Sequence, residues 1–185
     1  MIHLNLEDWV NLDMERFKIE NYLRDHPNGK FPEVTSLAKD AALRLADELK
    51  ERMGFPQATG RSEMTQLIDK LGLAIDGIRA GQSGFSVRGA LASEDIHPDD
   101  RVFVNWHQYD EIDQISLSDF DEYFEYIWYP SADDIDIFDS SFAWVLSVSH
   151  DGRLKVLRSD DASAQSGSPP RAGGGGQCVG PPEVA

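Results

Sequence analysis

The C-terminal stretch "SSFAWVLSVSHDGRLKVLR", residues 140–158, constrains the fold more than any other part of the chain. Two runs with strand-like composition flank His-Asp-Gly, a pattern typical of a β-hairpin. A two-residue loop would mix polar and apolar side chains on both faces of the hairpin. A three-residue loop instead gives a clean alternation, with apolar pairs such as Val148 and Leu154 on one face. We therefore predict a three-residue loop with Gly152 in the left-handed conformation.

Helical spacing of apolar side chains dominates the first half of the chain. It predicts a helix within residues 32–54, where alanines and leucines recur every three or four positions. A second helix is predicted over residues 61–72, with Ser62 as its N-cap and Gly72 just beyond its end. Residues 6–26 are predicted to be helical as well, because Pro and Gly follow them.

The second half of the chain changes character. Residues 73–93 contain several glycines and little periodicity, which favours irregular structure or short strands. Residues 101–107 are rich in β-branched and aromatic side chains and predict a strand. Residues 118–130 predict a helix that begins at Ser118 as N-cap and ends at Pro130. This order predicts an α+β fold, with a helical N-terminal half packed on a mostly antiparallel sheet that ends in the C-terminal hairpin.

The stretch "IWYPSADDIDIFD", residues 127–139, contains four aspartates. They do not form a calcium-binding loop, because an apolar residue occupies the third ligand position and the twelfth position lacks a glutamate. Asp134 and Asp136 instead alternate with Ile135 and Ile137, which predicts a strand with aspartates on an exposed face and isoleucines on a core face. No metal site and no cofactor is predicted.

The composition predicts one domain followed by a tail. The chain is 41% hydrophobic over 185 residues, which is enough for a single core. We predict one α+β domain over residues 1–158. Residues 159–185 are rich in Gly, Pro and Ser and have few large apolar side chains, so we expect them to be a disordered tail.

The charge is concentrated in the middle of the chain. The net charge is −16, and residues 94–139 hold 15 acidic residues and one basic residue, for a net charge of −14. Such a segment repels the phosphates of nucleic acids and anionic membranes, so neither is an expected partner. A basic protein is the expected partner. Because the chain has one cysteine, no secretory signal and no long apolar run, we expect a cytoplasmic protein.

Aromatic residues are interleaved with these charges, as in many protein interfaces. Tyr109, Tyr126 and Tyr129 fall off the apolar stripe of the predicted helix, so we expect them to be exposed. The candidate partner-binding residues of this segment are Asp110, Glu111, Asp113, Asp121, Glu125, Tyr126, Tyr129, Asp133, Asp134 and Asp136.

An enzymatic alternative remains open at the level of the sequence. It is a small hydrolase or metal-dependent enzyme that uses His107 or His97 with nearby carboxylates. The chain contains no nucleophile elbow, phosphate-binding loop, dinucleotide fingerprint or zinc-protease motif. We therefore favour a non-catalytic binding protein.

Residues 101–152, from "RVFVNWHQYD" to "SHDG", resemble the C-terminal part of small bacterial proteins with a "WYPSSDD…IFD…W.L.I.HDG" pattern. These proteins resemble the immunity proteins that neutralise polymorphic or contact-dependent toxins. The SUKH immunity superfamily is similar in style, although its usual glycine-rich motif is absent here. The resemblance implies an inhibitor that binds a basic toxin or effector domain by occlusion, without catalytic residues.

Overall fold

An eight-stranded sheet runs through the computed structural model, which describes residues 9–10, 16–106 and 108–161. The strands lie in the order β1-β2-β5-β4-β6-β7-β8-β3, and every neighbouring pair is antiparallel. Their bounds are β1 Trp9–Val10, β2 Thr35–Leu37, β3 Leu73–Ala74, β4 Arg101–Asn105, β5 Ile112–Ser116, β6 Ile135–Phe138, β7 Trp144–Val148 and β8 Leu154–Arg158. Together with the helices, this sheet confirms the predicted α+β class.

Helices cover both faces of the sheet. They are α1 Arg16–Asp25, α2 Lys39–Arg52, α3 Arg61–Leu71, α4 Val87–Ser93, α5 Leu117–Glu122 and α6 Phe124–Ile127. The helices α2 and α3 bury their apolar side chains against one face of the sheet. The helices α1, α4, α5 and α6 contribute to a second apolar cluster on the other face. The central strands therefore lie between two helical layers.

These strands are apolar on both faces, as is usual for a sheet covered on both sides. In β6, Ile135 and Ile137 face the cluster with α4–α6, whereas Phe138 faces α2 and α3. Asp136 shares the Phe138 face and is only 2% exposed. The prediction of an exposed aspartate face on this strand is wrong for Asp136, because α3 covers that face. Asp134 precedes the strand and is exposed.

The C-terminal hairpin has the predicted register. Val148 is paired with Leu154, and the Ser149 N–H donates to the Arg153 carbonyl at 3.0 Å across a three-residue loop. Gly152 has φ +78°, the left-handed conformation that a side chain disfavours. The alternation of side chains was therefore sufficient to predict both the loop length and the glycine conformation.

Two predicted helices begin at different residues from those expected. Residues 32–38 are not helical, because Thr35–Leu37 form β2 between β1 and β5, and α2 begins at Lys39. The N-cap of α3 is Gly60 rather than Ser62, and the Gly60 N–H donates to the Glu63 carboxylate at 2.9 Å. The predicted end of α3 is confirmed, since Gly72 follows its last residue.

The helix predicted over residues 118–130 is shorter and interrupted. Its N-cap is Ser116, whose hydroxyl accepts the Asp119 N–H at 3.1 Å, so Ser118 lies inside α5. Tyr123 separates α5 from α6, because its backbone angles of φ −104° and ψ 12° are not those of an α-helix. The helix α6 ends at Ile127. Sequence reasoning also missed β5 and the helix α4, which begins after the N-cap Ser86.

The structure describes only some of the residues on which the N-terminal and C-terminal predictions fall. The helix α1 ends before Pro27 as predicted, but Trp9–Val10 form a strand within the range predicted to be helical. Residues 162–185 of the predicted tail lie outside the described residues, and residues 159–161 form a helical turn. Among the helices described, none combines the length and the apolar character needed to cross a bilayer.

The hairpin glycine provides a test of the fold. Gly152→Ala should lower the free energy of unfolding by about 1–2 kcal/mol, because alanine disfavours the left-handed conformation. Gly89→Ala is the matched control, since Gly89 lies in α4 with its nearest non-neighbouring atoms at 3.5 Å, and it should raise stability by about 0.5–1 kcal/mol. Urea unfolding of both variants measures the difference, and equal effects would contradict the assigned hairpin geometry.

Candidate functional site

A buried lysine occupies the acidic and aromatic corner that was predicted to bind a partner. Lys18 of α1 is completely buried, and its Nζ donates to the Asp133 carboxylate at 2.7 Å and to the Ile127 carbonyl at 2.7 Å. The same Nζ lies 4.1 Å from the centroid of the Trp106 ring, within cation–π range. The corner therefore recognises a cation, but the cation belongs to the chain itself.

Asp133 and Tyr129 also hold the turn after α6. The Asp133 carboxylate accepts the Tyr129 N–H at 2.8 Å, and the Tyr129 hydroxyl accepts a hydrogen bond from the Asn21 amide at 3.0 Å. The Asp133 side chain is only 13% exposed. Its expected place on an exposed edge is wrong, because Lys18 and the turn cover it. Tyr129 is half-buried, with Phe17 of α1 against its ring.

Asp113 is buried on β5, not exposed as a partner-binding residue would be. Its carboxylate accepts hydrogen bonds from the Ser36 hydroxyl at 2.5 Å and from the Trp106 indole at 2.8 Å. Burial raises the pKa of Asp113, and the two hydrogen bonds oppose that rise. The residue joins β2, β5 and the end of β4, so its role is internal.

Asp136 is the centre of a second buried polar cluster. Its carboxylate accepts the Tyr109 hydroxyl at 2.9 Å and the Asn105 amide at 3.3 Å. Burial raises the pKa of Asp136, and burial followed by the Asp136 charge raises the pKa of Tyr109 well above its ordinary value. Tyr109 is fully buried, so its expected exposure is also wrong.

Three further candidate residues are partly or fully exposed but have partners within the chain. Asp121 accepts the Val87 N–H at 2.6 Å and so supports the start of α4. Asp134 accepts the His150 N–H at 2.7 Å beside the hairpin turn. Asp110 lies 3.5 Å from the ammonium of Lys39. The Lys39 pair is a surface contact of small energy.

Glu111, Glu125 and Tyr126 are the remaining candidate residues. Glu111 and Glu125 are exposed, and Tyr126 is half-buried with its hydroxyl 3.0 Å from His26 Nε2. Glu122, which sequence reasoning did not select, lies one turn from Glu125 and is exposed as well. Within the part of the chain that the structure describes, neither Glu122 nor Glu125 has an ion pair or a side-chain hydrogen bond.

A groove lies beside these two glutamates, and we call it the Trp128 groove. It consists of two depressions of about 530 and 550 Å³ that share Trp128 and Pro130 as lining residues. The first, the acidic half, is lined by Asp121, Glu122, Glu125, Phe85, Phe124 and the loop residues 80–84. The second is lined by Arg79, residues 81–82 and the turn residues 150–152. No local sequence signal predicted this groove, since it forms only where the 79–85 loop meets α6 and the hairpin.

Two glycines of the groove, Gly81 and Gly152, allow the 79–85 loop to lie close to the hairpin turn. The Ala80 N–H donates to the Gly152 carbonyl at 3.0 Å, which fastens the loop to the hairpin turn. A Cβ at Gly152 would lie 3.5 Å from the Gly81 nitrogen and 3.7 Å from the Trp128 ring. The loop and the turn are therefore joined by a backbone hydrogen bond, and the Trp128 indole lies beside Gly81 and Gly152.

The histidines of the enzymatic alternative do not form a site among the described residues. The His97 side chain is 87% exposed, and the nearby carboxylate of Asp95 is 98% exposed. His107 lies outside the described residues. In residues 9–10, 16–106 and 108–161 no group of three or more His, Cys, Asp or Glu is arranged to hold a metal ion.

Comparison with known proteins finds no matching family model, no similar curated protein and no similar solved structure. The geometry and charge of the described residues therefore bear most directly on function.

Removing the buried cation tests the Lys18 corner. Lys18→Met should lower the free energy of unfolding by about 3 kcal/mol, because Asp133 and the Ile127 carbonyl lose their donor. Asp133→Asn in the Lys18→Met background should recover part of the loss, since the unpaired charge is gone. The control Lys39→Met removes the surface pair with Asp110 at the start of α2 and should cost less than about 1 kcal/mol. Chemical denaturation measures all four proteins, and similar losses for both lysines would contradict the buried pair.

The pH dependence of stability tests the Asp136 cluster. The folded-state pKa of Asp136 is raised above its ordinary value of 3.8, so protonation favours the folded state and stability falls as pH rises above about 4. Asp136→Asn cannot ionise and should flatten this fall. Asp151→Asn is the control, because hydrogen bonds from Ser149 and Arg153 lower the pKa of Asp151. The stability that Asp151 contributes is therefore lost as pH falls, which is the opposite of the pH dependence expected from Asp136. Urea unfolding from pH 3 to 8 measures both slopes, and an unchanged slope in Asp136→Asn would disprove the assignment.

Proposed function

We propose that this chain is an acidic, non-catalytic binding protein of the immunity type. In this proposal it neutralises a basic toxin or effector domain in the cytoplasm by occluding that domain's functional surface. The resemblance of residues 101–152 to immunity proteins supports the proposal, and so does the distribution of charge over the folded chain.

Most acidic residues of segment 94–139 remain at the surface of the folded chain. Of the 15 acidic residues in 94–139, four are used internally: Asp113, Asp136 and Asp139 are buried, and Asp133 is paired with the buried Lys18. The other 11 are exposed or half-buried, against the single basic residue Arg101. Folding therefore removes only a small part of the charge from the surface.

The observation that carries the proposal is the charge of α5 and α6. Residues 117–127 contain no basic residue and carry four carboxylates, Asp119, Asp121, Glu122 and Glu125. Two of these, Glu122 and Glu125, are exposed and unpaired within the described residues. Exposed carboxylates without internal partners do not stabilise the fold, whereas they attract a basic surface and raise its association rate.

Occlusion is consistent with this surface. A basic domain that acts on nucleic acid presents a positive face to phosphates, and an acidic protein of matching charge competes for that face. Such competition requires contact and shape but no bond making, so it needs no catalytic residue in the inhibitor.

The test begins with the gene directly upstream, because immunity genes usually lie beside their toxins. The purified product of that gene should bind the chain at 50 mM salt and lose its toxic activity at a 1:1 ratio. Raising the salt to 500 mM should weaken binding by about tenfold or more, because exposed charges are screened. Absence of binding at low salt, or a toxin that stays active when bound, would refute the proposal.

Charge variants separate a specific acidic face from general acidity. Glu122→Gln with Glu125→Gln should slow association with the upstream product by several-fold, since surface charge steers encounter. The matched control is Asp40→Asn with Glu51→Gln, which removes two exposed carboxylates from α2 on the other face of the sheet. Stopped-flow association at 50 mM salt compares the pairs, and equal slowing would favour an unspecific effect of net charge.

A further inference from the structure

Resting on the proposed function, we infer that the Trp128 groove is the docking site of the basic partner, and that its acidic half takes an arginine side chain. The groove joins unpaired negative charge to aromatic rings in one concave surface. The acidic and aromatic corner at Asp133 is already filled by the chain's own Lys18, which is completely buried. That corner is therefore closed to the cation of a partner.

Charge complementarity selects a cation for the acidic half. Asp121, Glu122 and Glu125 line it. The other half is lined by Arg79, His150 and Asp151, and the Asp151 carboxylate is already paired with Arg153. Asp121 already accepts hydrogen bonds at the start of α4, which leaves Glu122 and Glu125 to bind a ligand. Two carboxylates on one rim suit a guanidinium, because its donors form a planar fork that can reach both.

The aromatic residues favour arginine over lysine. The Phe85 ring lies 4.6 Å from that of Phe124, and the Phe124 and Trp128 rings are stacked 5.7 Å apart with an angle of 18° between their planes. Phe85 is half-buried, so part of its ring faces the groove. Phe124 and Trp128 are buried, so the exposed part of the Phe85 ring is the aromatic surface that a ligand can touch. A guanidinium packs flat on such a ring and is more weakly hydrated than an ammonium, so it loses less hydration free energy on entering the groove.

The second half of the groove accommodates the chain on either side of that arginine. It has a volume of about 550 Å³, and its walls include the exposed Gly81, which allows a partner backbone to approach closely. Arg79 lies at this end, and the Asp151 carboxylate there is paired with Arg153, so a second cation is disfavoured. The groove thus fits an extended segment with one arginine followed or preceded by small, uncharged residues.

A peptide titration of the full chain tests this inference. The probe is acetyl-Gly-Arg-Gly-amide, compared with the same tripeptide carrying lysine or citrulline, and the readout is the amide spectrum of the isotope-labelled protein. The arginine peptide should shift the amides of residues 80–85 and the Trp128 indole, whose N–H donates to the Asp133 carbonyl at 3.0 Å. Lysine should bind at least threefold more weakly, and citrulline should produce no shift.

The same variants locate the charge. Glu122→Gln with Glu125→Gln should weaken the arginine peptide by about tenfold, the effect of losing two exposed ionic contacts. Asp40→Asn with Glu51→Gln should leave its binding unchanged. Shifts that appear elsewhere on the acidic surface, equal binding of lysine and arginine, or unchanged binding by the Glu122 and Glu125 variant would each overturn the groove assignment.

Failure of this inference can be told from failure of the proposed function. If the upstream gene product binds and is neutralised but the peptide shifts lie outside the groove, the proposed function stands and the groove assignment falls. If the peptide docks in the groove and the upstream product does not bind at all, the arginine site stands and the immunity role falls. Dissociation of the upstream product should be faster from the Glu122 and Glu125 variant if the groove makes the contact.

Discussion

Covering both faces of the sheet is the constraint on which the rest of this structure depends. With α2 and α3 on one face and α1 and α4–α6 on the other, the carboxylates of Asp113 and Asp136 on the central strands are shielded from water. Each buried carboxylate must therefore find donors inside the fold. Asp113 finds Ser36 and Trp106, and Asp136 finds Tyr109 and Asn105.

This constraint divides the acidic residues into two groups with different physics. Asp113, Asp136 and Asp139 are internal, and Asp139 accepts the Trp144 indole at 3.1 Å and the Asp99 N–H at 2.9 Å. Desolvation disfavours the charged forms of Asp113 and Asp136, and hydrogen bonds offset this effect. The exposed glutamates of α5 and α6 remain in water, where their charges act at a distance on a partner. Some acidic residues of the chain thus form buried hydrogen bonds within the fold, and others supply negative charge at its surface.

Local patterns were reliable where a local rule decides the outcome. The side-chain alternation around residues 150–152 predicted the hairpin register, and the strand β4 and the end of α3 were predicted from composition and glycine. Competing local signals were not resolved by the sequence. Both Ser116 and Ser118 can cap a helix, and residues 35–37 suit a helix until strands on either side pair with them.

The sequence by itself determined the α+β class, the hairpin and the excess of negative charge, because each depends on residue type and short-range spacing. Only the tertiary structure decided which carboxylates are exposed. Asp136 and Glu125 both carry a carboxylate, yet Asp136 is buried beside Tyr109 and Asn105 whereas Glu125 is exposed. The Trp128 groove has the same origin, since Gly81, Trp128 and Gly152 are distant in sequence and meet only when the loop, α6 and the hairpin pack together.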